Sequence, residues 1–233
     1  MNTQLSLPVH LPDDETFSNF VVGNNQVLLA QLMALFTQPQ NSPLITYLSG
    51  EHGVGKSHLL YSVCAQAGEQ GKWVSYLDLA QIDLWSTEVL TGLEQCDYVC
   101  LDNVHALKGH RQWQVALFDL INRVIENQHA RLVISGDAGP AQMELELADL
   151  QSRLAWGVSF VVQRLSDEDC VSMLIKRAGI RGINLPEEVG LYLLSRSKRD
   201  TKSLMNALNQ LDQLSLQQQR KLTIPFVKQA LSF

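Results

Sequence analysis

Gly50-Glu51-His52-Gly53-Val54-Gly55-Lys56-Ser57 fits the eight-residue pattern G-x-x-x-x-G-K-[ST], and its flanks decide the fold. Leu44-Ile45-Thr46-Tyr47-Leu48 ahead of it reads as a buried strand, and His58-Leu59-Leu60-Tyr61-Ser62-Val63 behind it as the start of a helix. Glycines let consecutive backbone N–H groups turn toward one anion, and the helix N-terminus adds partial positive charge. Gly50, His52, Gly53, Val54, Gly55, Lys56, Ser57 and His58 are therefore the expected nucleotide-binding residues of this segment. Lys56 is expected to reach the β- and γ-phosphates, and the Ser57 hydroxyl to be a ligand for Mg²⁺.

Four further apolar, β-rich runs follow: Trp73-Val74-Ser75-Tyr76-Leu77, Tyr98-Val99-Cys100-Leu101, Arg131-Leu132-Val133-Ile134-Ser135 and Val158-Ser159-Phe160-Val161-Val162. Helical stretches separate them. The clearest runs from Gln112 to Asn127, with Val115, Leu117, Phe118, Leu120, Ile121, Val124 and Ile125 on one broad apolar face. Strands alternating with helices predict an α/β fold, a parallel five-stranded sheet flanked by helices, with its ligand at the carboxyl ends of the strands. Tyr98-Val99-Cys100-Leu101 ends in Asp102, a carboxylate placed to hold Mg²⁺, usually through water. Next comes Asn103, where nucleotidases of this kind commonly carry a second carboxylate that positions water. Asparagine accepts no proton, and a missing general base costs roughly 10²–10⁴ in rate, so weak intrinsic hydrolysis is expected. His105 and Asp137 are the nearby candidates to replace it.

Past Leu165 the pattern is helical only. Ser166 is a good N-cap, with Asp167 and Glu168 favouring the dipole of the helix that follows. Pro186 opens a second helix, Ser203 to Leu216 forms a third, and a fourth starts near Pro225. The expected organisation is a flexible tail over 1–11, a nucleotide-binding α/β domain over 12–165 and a small all-helical lid over 166–233. A charged content of 18% and hydrophobic content of 45% describe an ordinary soluble chain, with no apolar run of bilayer length and no signal peptide. Cys64, Cys96, Cys100 and Cys170 show no zinc spacing and read as reduced, buried thiols of a cytoplasmic protein. A net charge of −6 argues against strong direct DNA binding and for a protein partner, leaving room for a local basic strip.

Four stretches together resemble the AAA+ ATPases, and within them the DnaA-type replication initiators. Thr16 to Asn25 looks like the segment that packs on the adenine ring, which implies nucleotide contacts at Phe20, Val21, Val22 and Gly23. Leu132 to Asp137 is similar to the sensor-1 strand and implies a role for Asp137; Leu150 to Gly157 is similar to the box that carries an arginine finger, here Arg153. Asp200 to Leu208 resembles the sensor-2 helix of the lid, with Lys202 where the family usually has arginine, and Arg199 a turn earlier as the other candidate. Lysine keeps the charge and loses the planar fork.

Gln4-Leu5-Ser6-Leu7-Pro8-Val9 is similar to the short peptides that dock on the DNA polymerase III sliding clamp (β subunit). Gln4 can hydrogen-bond at a rim while Leu5 and Leu7 enter an apolar pocket, and Pro8 limits the entropy lost on docking. DnaA initiators carry an N-terminal domain ahead of the AAA+ segment and a DNA-binding domain after the lid; neither is expected here. The combination resembles the DnaA-homologous regulators of the AAA+ class. It implies a negative regulator that binds ADP or ATP with Mg²⁺, docks on the clamp, and makes DnaA hydrolyse its ATP through Arg153 acting in trans. Monomer and homodimer both stay open. The competing reading is a DnaA-like ATPase serving as helicase-loader or initiator accessory, which would need robust turnover.

Overall fold

The computed structural model describes residues 15–198 and 200–231. Gln4, Leu5, Leu7 and Pro8, and likewise Arg199, lie outside the described residues. Five strands form one parallel sheet: β1 (Ile45–Ser49), β2 (Val74–Asp78), β3 (Tyr98–Asp102), β4 (Arg131–Ser135) and β5 (Val158–Val161), in the order β2-β3-β4-β1-β5. Each strand lies within one residue of the run expected from sequence. β1 and β3 are buried along their whole length, as parallel strands covered on both faces must be. Leu48 pairs with Ser135, Leu101 with Ile134 and Asp78 with Asp102. This register brings Ser49, Asp78, Asp102 and Ser135 to the same, carboxyl edge of the sheet. β1 is an interior strand, so the loop that leaves it starts at the edge where open α/β sheets take their ligands.

Helices α1 (Gln26–Thr37), α2 (Lys56–Glu69), α3 (Arg111–Asn127) and α4 (Ala148–Ala155) alternate with these strands except between β2 and β3, which are joined by short 3-10 turns. The helix expected over Gln112 to Asn127 forms, one residue longer, but its inward stripe differs from the expected one. Trp113, Leu117, Leu120, Ile121 and Val124 are buried, whereas Val115 is 40% exposed. Trp113 and Leu117 are four residues apart on one side of the helix, and Val115 falls between them on the other.

The chain divides into two compact units. One comprises residues 15–20, 31–49 and 57–160, with a core built from the sheet, α3 and α4: Tyr47, Val99, Leu101, Leu117, Leu120, Ile134 and Leu150 are all buried there. The other comprises Val21–Ala30, Gly50–Lys56 and residues 161–198 and 200–231. Its core belongs to α5 (Asp167–Ile180), α6 (Glu187–Arg196), α7 (Thr201–Gln218) and α8 (Ile224–Leu231), through Leu174, Val189, Leu193, Leu204, Leu208 and Phe226. Ser166 caps α5 as expected, accepting the Asp169 N–H at 3.1 Å. Pro186 immediately precedes α6. The four cysteines are buried and unbridged. Among the described residues no helix is long and apolar enough to cross a membrane, and no His/Cys/Asp/Glu cluster is arranged to hold a metal.

Candidate functional site

The phosphate-loop sequence folds as a turn that only glycine permits. Gly50, Gly53 and Gly55 have φ of 150°, 77° and 102°, backbone that side-chain-bearing residues rarely adopt. At Gly53 the restriction is also steric, because an added Cβ would fall 2.8 Å from Asp200 Oδ1. Lys56 opens α2 and is buried, its Nζ donating to the carbonyls of Gly50 at 2.6 Å and Glu51 at 2.8 Å. The loop thus holds its one ammonium within itself. Ser57 is the second residue of α2.

Around this loop the same unit gathers Val21, Val22, Gly23 and the start of α7. Val22 C=O accepts from Asn25 N at 2.8 Å and Asn25 Nδ2 at 3.0 Å. Asn25 is buried and also exchanges two hydrogen bonds with the Gln163 backbone, 2.7 and 3.1 Å long. A Cβ at Gly23 would touch Leu165 at 3.0 Å. A small cavity is lined by His52, Gly53, Val54, Arg164, Leu165, Cys170, Asp200 and Thr201. Glu51 and Arg164 form an ion pair beside it. Burial raises the Asp200 carboxyl, but hydrogen bonds from the Ser203 hydroxyl and amide, with His52 and Lys198 nearby, outweigh it and leave the group below its ordinary range. Lys202 is exposed, one residue beyond Thr201.

The sheet unit holds the other candidates. Phe20 is buried with its ring 5.4 Å from that of His58, whose Nε2 lies 3.0 Å from Thr16 C=O. Asp102, 1% exposed, accepts hydrogen bonds from the Tyr76 hydroxyl at 3.0 Å, the Asn103 amide at 3.1 Å and the Ser135 hydroxyl. Three donors hold the carboxylate in place at the strand end. The Tyr76 phenol is pushed far above its usual range by burial first and by the Asp102 charge second. Asn103 has φ of 60°, a left-handed conformation that asparagine tolerates better than most residues. Its side-chain amide donates to Asp78 Oδ1 at 2.8 Å. His105 Nδ1 and Asp137 Oδ1 stand 3.9 Å apart, and Asp137 is exposed. Arg153 sits in the last turn of α4, half-buried. The acidic stretch upstream is engaged elsewhere: Glu144 binds Lys108, and Glu146 accepts from Gly109 N and Gln114.

Sequence reasoning did not single out Tyr76, Ser135, Asn25, Asp200 or Thr201. The first three touch partners between 26 and 138 residues away, which no local pattern encodes. Asp200 did carry a signal, since Asp three residues before Ser at a helix start is a capping arrangement, and Asp200 accepts from Ser203 N at 2.8 Å. Because Asp102 is buried with all its donors inside the protein, Tyr76→Phe or Ser135→Ala should each lower stability by about 1–3 kcal/mol. Urea unfolding followed by far-UV circular dichroism reads this; wild-type midpoints for both would mean that these bonds do not hold the carboxylate.

Residues 167–231 match the family model described as Hda, lid domain, and residues 11–161 match that of the bacterial DnaA ATPase domain. Domain III of the Thermotoga maritima replication initiation protein DnaA has a similar structure, with a TM-score of 0.83 at 23% identity over 95% of this chain and 97% of that one. AMPPCP-bound DnaA from Aquifex aeolicus gives 0.71 at 22% identity, covering 88% of this chain and 67% of the other. A variant of Thermotoga maritima RuvB gives 0.68 at 14% identity over 89% and 67%. The match over residues 11–161 spans more than half of the sequence: the chain belongs to the bacterial DnaA ATPase-domain family of AAA+ proteins, and its following residues 167–231 are similar to the Hda lid domain.

Proposed function

We propose that this chain is a nucleotide-bound regulator of the initiator DnaA that triggers hydrolysis of DnaA-bound ATP. The observation that carries the reading is Arg153. It is partly exposed on α4 and makes no ion pair among the described residues, although acidic residues crowd the preceding segment. A guanidinium outside the ion pairs of the described residues is available to a neighbour's phosphates, and arginine supplied in trans stabilises the charge of phosphoryl transfer. Membership of the DnaA family and the Hda lid support DnaA as that neighbour.

The chain's own nucleotide is an adenine nucleotide, as the AMPPCP in the Aquifex relative suggests. The glycine cradle, the Lys56 ammonium and the shielded Asp102 fit ADP or ATP with Mg²⁺. Gly50 to Ser57 would hold the phosphates, and the Ser57 hydroxyl and Asp102 are the residues that would hold the metal. Phe20, Val21, Val22 and Gly23 are assigned to the base, and His52, His58, Asp137 and Lys202 are the remaining residues assigned to the nucleotide. Bound Mg²⁺ neutralises phosphate charge. Asn103 offers no base, and its amide is occupied by Asp78, so turnover by the chain itself is slow.

Docking on the sliding clamp is assigned to Gln4, Leu5, Leu7 and Pro8. Replacing Gln4, Leu5 and Leu7 by Ala should abolish retention on immobilised clamp while leaving nucleotide affinity at the wild-type value. Equal retention of the two proteins would remove the clamp from the account. The reading as a whole is tested by phosphate release from ATP-loaded DnaA with this chain present, against the Arg153→Ala variant.

A further inference from the structure

Thr201 is the first residue of α7, so its N–H has no partner inside the helix. It donates instead to Gly53 C=O at 3.0 Å, and the Thr201 hydroxyl donates to the same carbonyl. The neighbouring orphan amide, that of Ser203, is taken by Asp200. A carbonyl of the phosphate loop therefore serves as part of the N-terminal cap of the 18-residue lid helix. Three features make this a specific attachment. Both donors of one residue converge on one oxygen. Asp200 packs so closely on Gly53 that no Cβ would fit there. The peptide leaving Gly53 is trans, so holding its C=O toward α7 turns the Val54 N–H the opposite way, away from the helix. Val54 lies in the glycine-rich loop, where successive backbone N–H groups turned toward one point make an anion site.

We propose that Thr201 is a positioning residue: it latches the phosphate loop to the lid helix, fixes the loop's amides, and so sets how long the chain retains its nucleotide. The proposal rests on the loop being a nucleotide site. Through α7 the latch reaches Leu204 and Leu208, which are buried in the lid core, so loop and lid helix are mechanically one piece. Nucleotide release then requires the Gly53–Thr201 bonds to open or the loop to distort around them. No direct contact between Thr201 and the ligand is needed.

The test is the rate at which the full-length chain releases a fluorescent ADP analogue when chased with unlabelled ADP. Thr201→Val keeps the shape and the backbone bond but removes the hydroxyl bond, and should speed release about 5- to 10-fold, the effect of one modest hydrogen bond. Thr201→Ala should match it, and Thr201→Ser should restore slow release, since it returns the oxygen. The rate of association should stay at the wild-type value. Lys56→Ala serves as the reference for the site itself. Loss of binding in Lys56→Ala together with wild-type release from Thr201→Val and Thr201→Ala would overturn the latch and leave the nucleotide site standing. Wild-type binding by Lys56→Ala would overturn both.

Discussion

Arg153→Ala is expected to abolish stimulation of DnaA ATP hydrolysis while leaving clamp retention and the chain's own nucleotide affinity unchanged. The size of the effect follows from what the side chain supplies. Negative charge spreads over the equatorial oxygens as phosphoryl transfer proceeds, and a guanidinium offers several fixed donors to it. Loss of an arginine finger costs roughly 10³–10⁵ in rate, or about 4–7 kcal/mol of barrier. Arg153 lies in the last turn of α4 and is assigned no role toward the chain's own nucleotide. Arg153→Lys should rescue little, because a point charge on a flexible stem does not reproduce the planar fork. Single-turnover release of phosphate from DnaA-bound ATP measures both variants. Stimulation by Arg153→Ala equal to that of wild type would move the trans-acting role to another residue.

Lys56→Ala should weaken binding of both ADP and ATP by at least two orders of magnitude, roughly 3 kcal/mol or more. Lys56 Nζ donates to two loop carbonyls. Its removal takes away the charge-assisted bond to phosphate and also leaves the Gly50 and Glu51 carbonyls short of a donor. Ser57→Ala should matter chiefly when Mg²⁺ is present, since its hydroxyl is the proposed metal ligand and the loop amides remain. Titration calorimetry with and without Mg²⁺ separates the two. Unchanged affinity in both variants would reduce the loop to a turn between strand and helix.

The strand–loop–helix at residues 44–63 was legible in the sequence because phosphate binding needs glycine at fixed spacing and the flanks have strand and helix patterns of their own. The sheet, its five strands and the helical lid were legible for the same reason: burial imposes period and length on each run. Helix faces were read less well. Val115 looked inward only because Trp113, the residue that fills that side of α3, was left out of the count. The polar shell of the site was not legible. Tyr76 and Ser135 reach Asp102 across strands 26 and 33 residues away, and Thr201 reaches Gly53 across 148. Such contacts are set by how strands and helices pack, not by any spacing along the chain. Asn103 is an instructive case: its identity suggested a missing base, and the structure adds that its amide is committed to Asp78, at the end of β2.

The central claim, that this chain acts on the nucleotide of DnaA, is tested most directly by ATP hydrolysis measured for the chain alone, for DnaA alone, and for the two together with clamp loaded on DNA. The account predicts slow turnover in the first two cases and conversion of DnaA-bound ATP to ADP in the third, lost when Arg153 is replaced by Ala. Rapid turnover by the chain alone, with no change in DnaA-bound ATP when the proteins are combined, would contradict it.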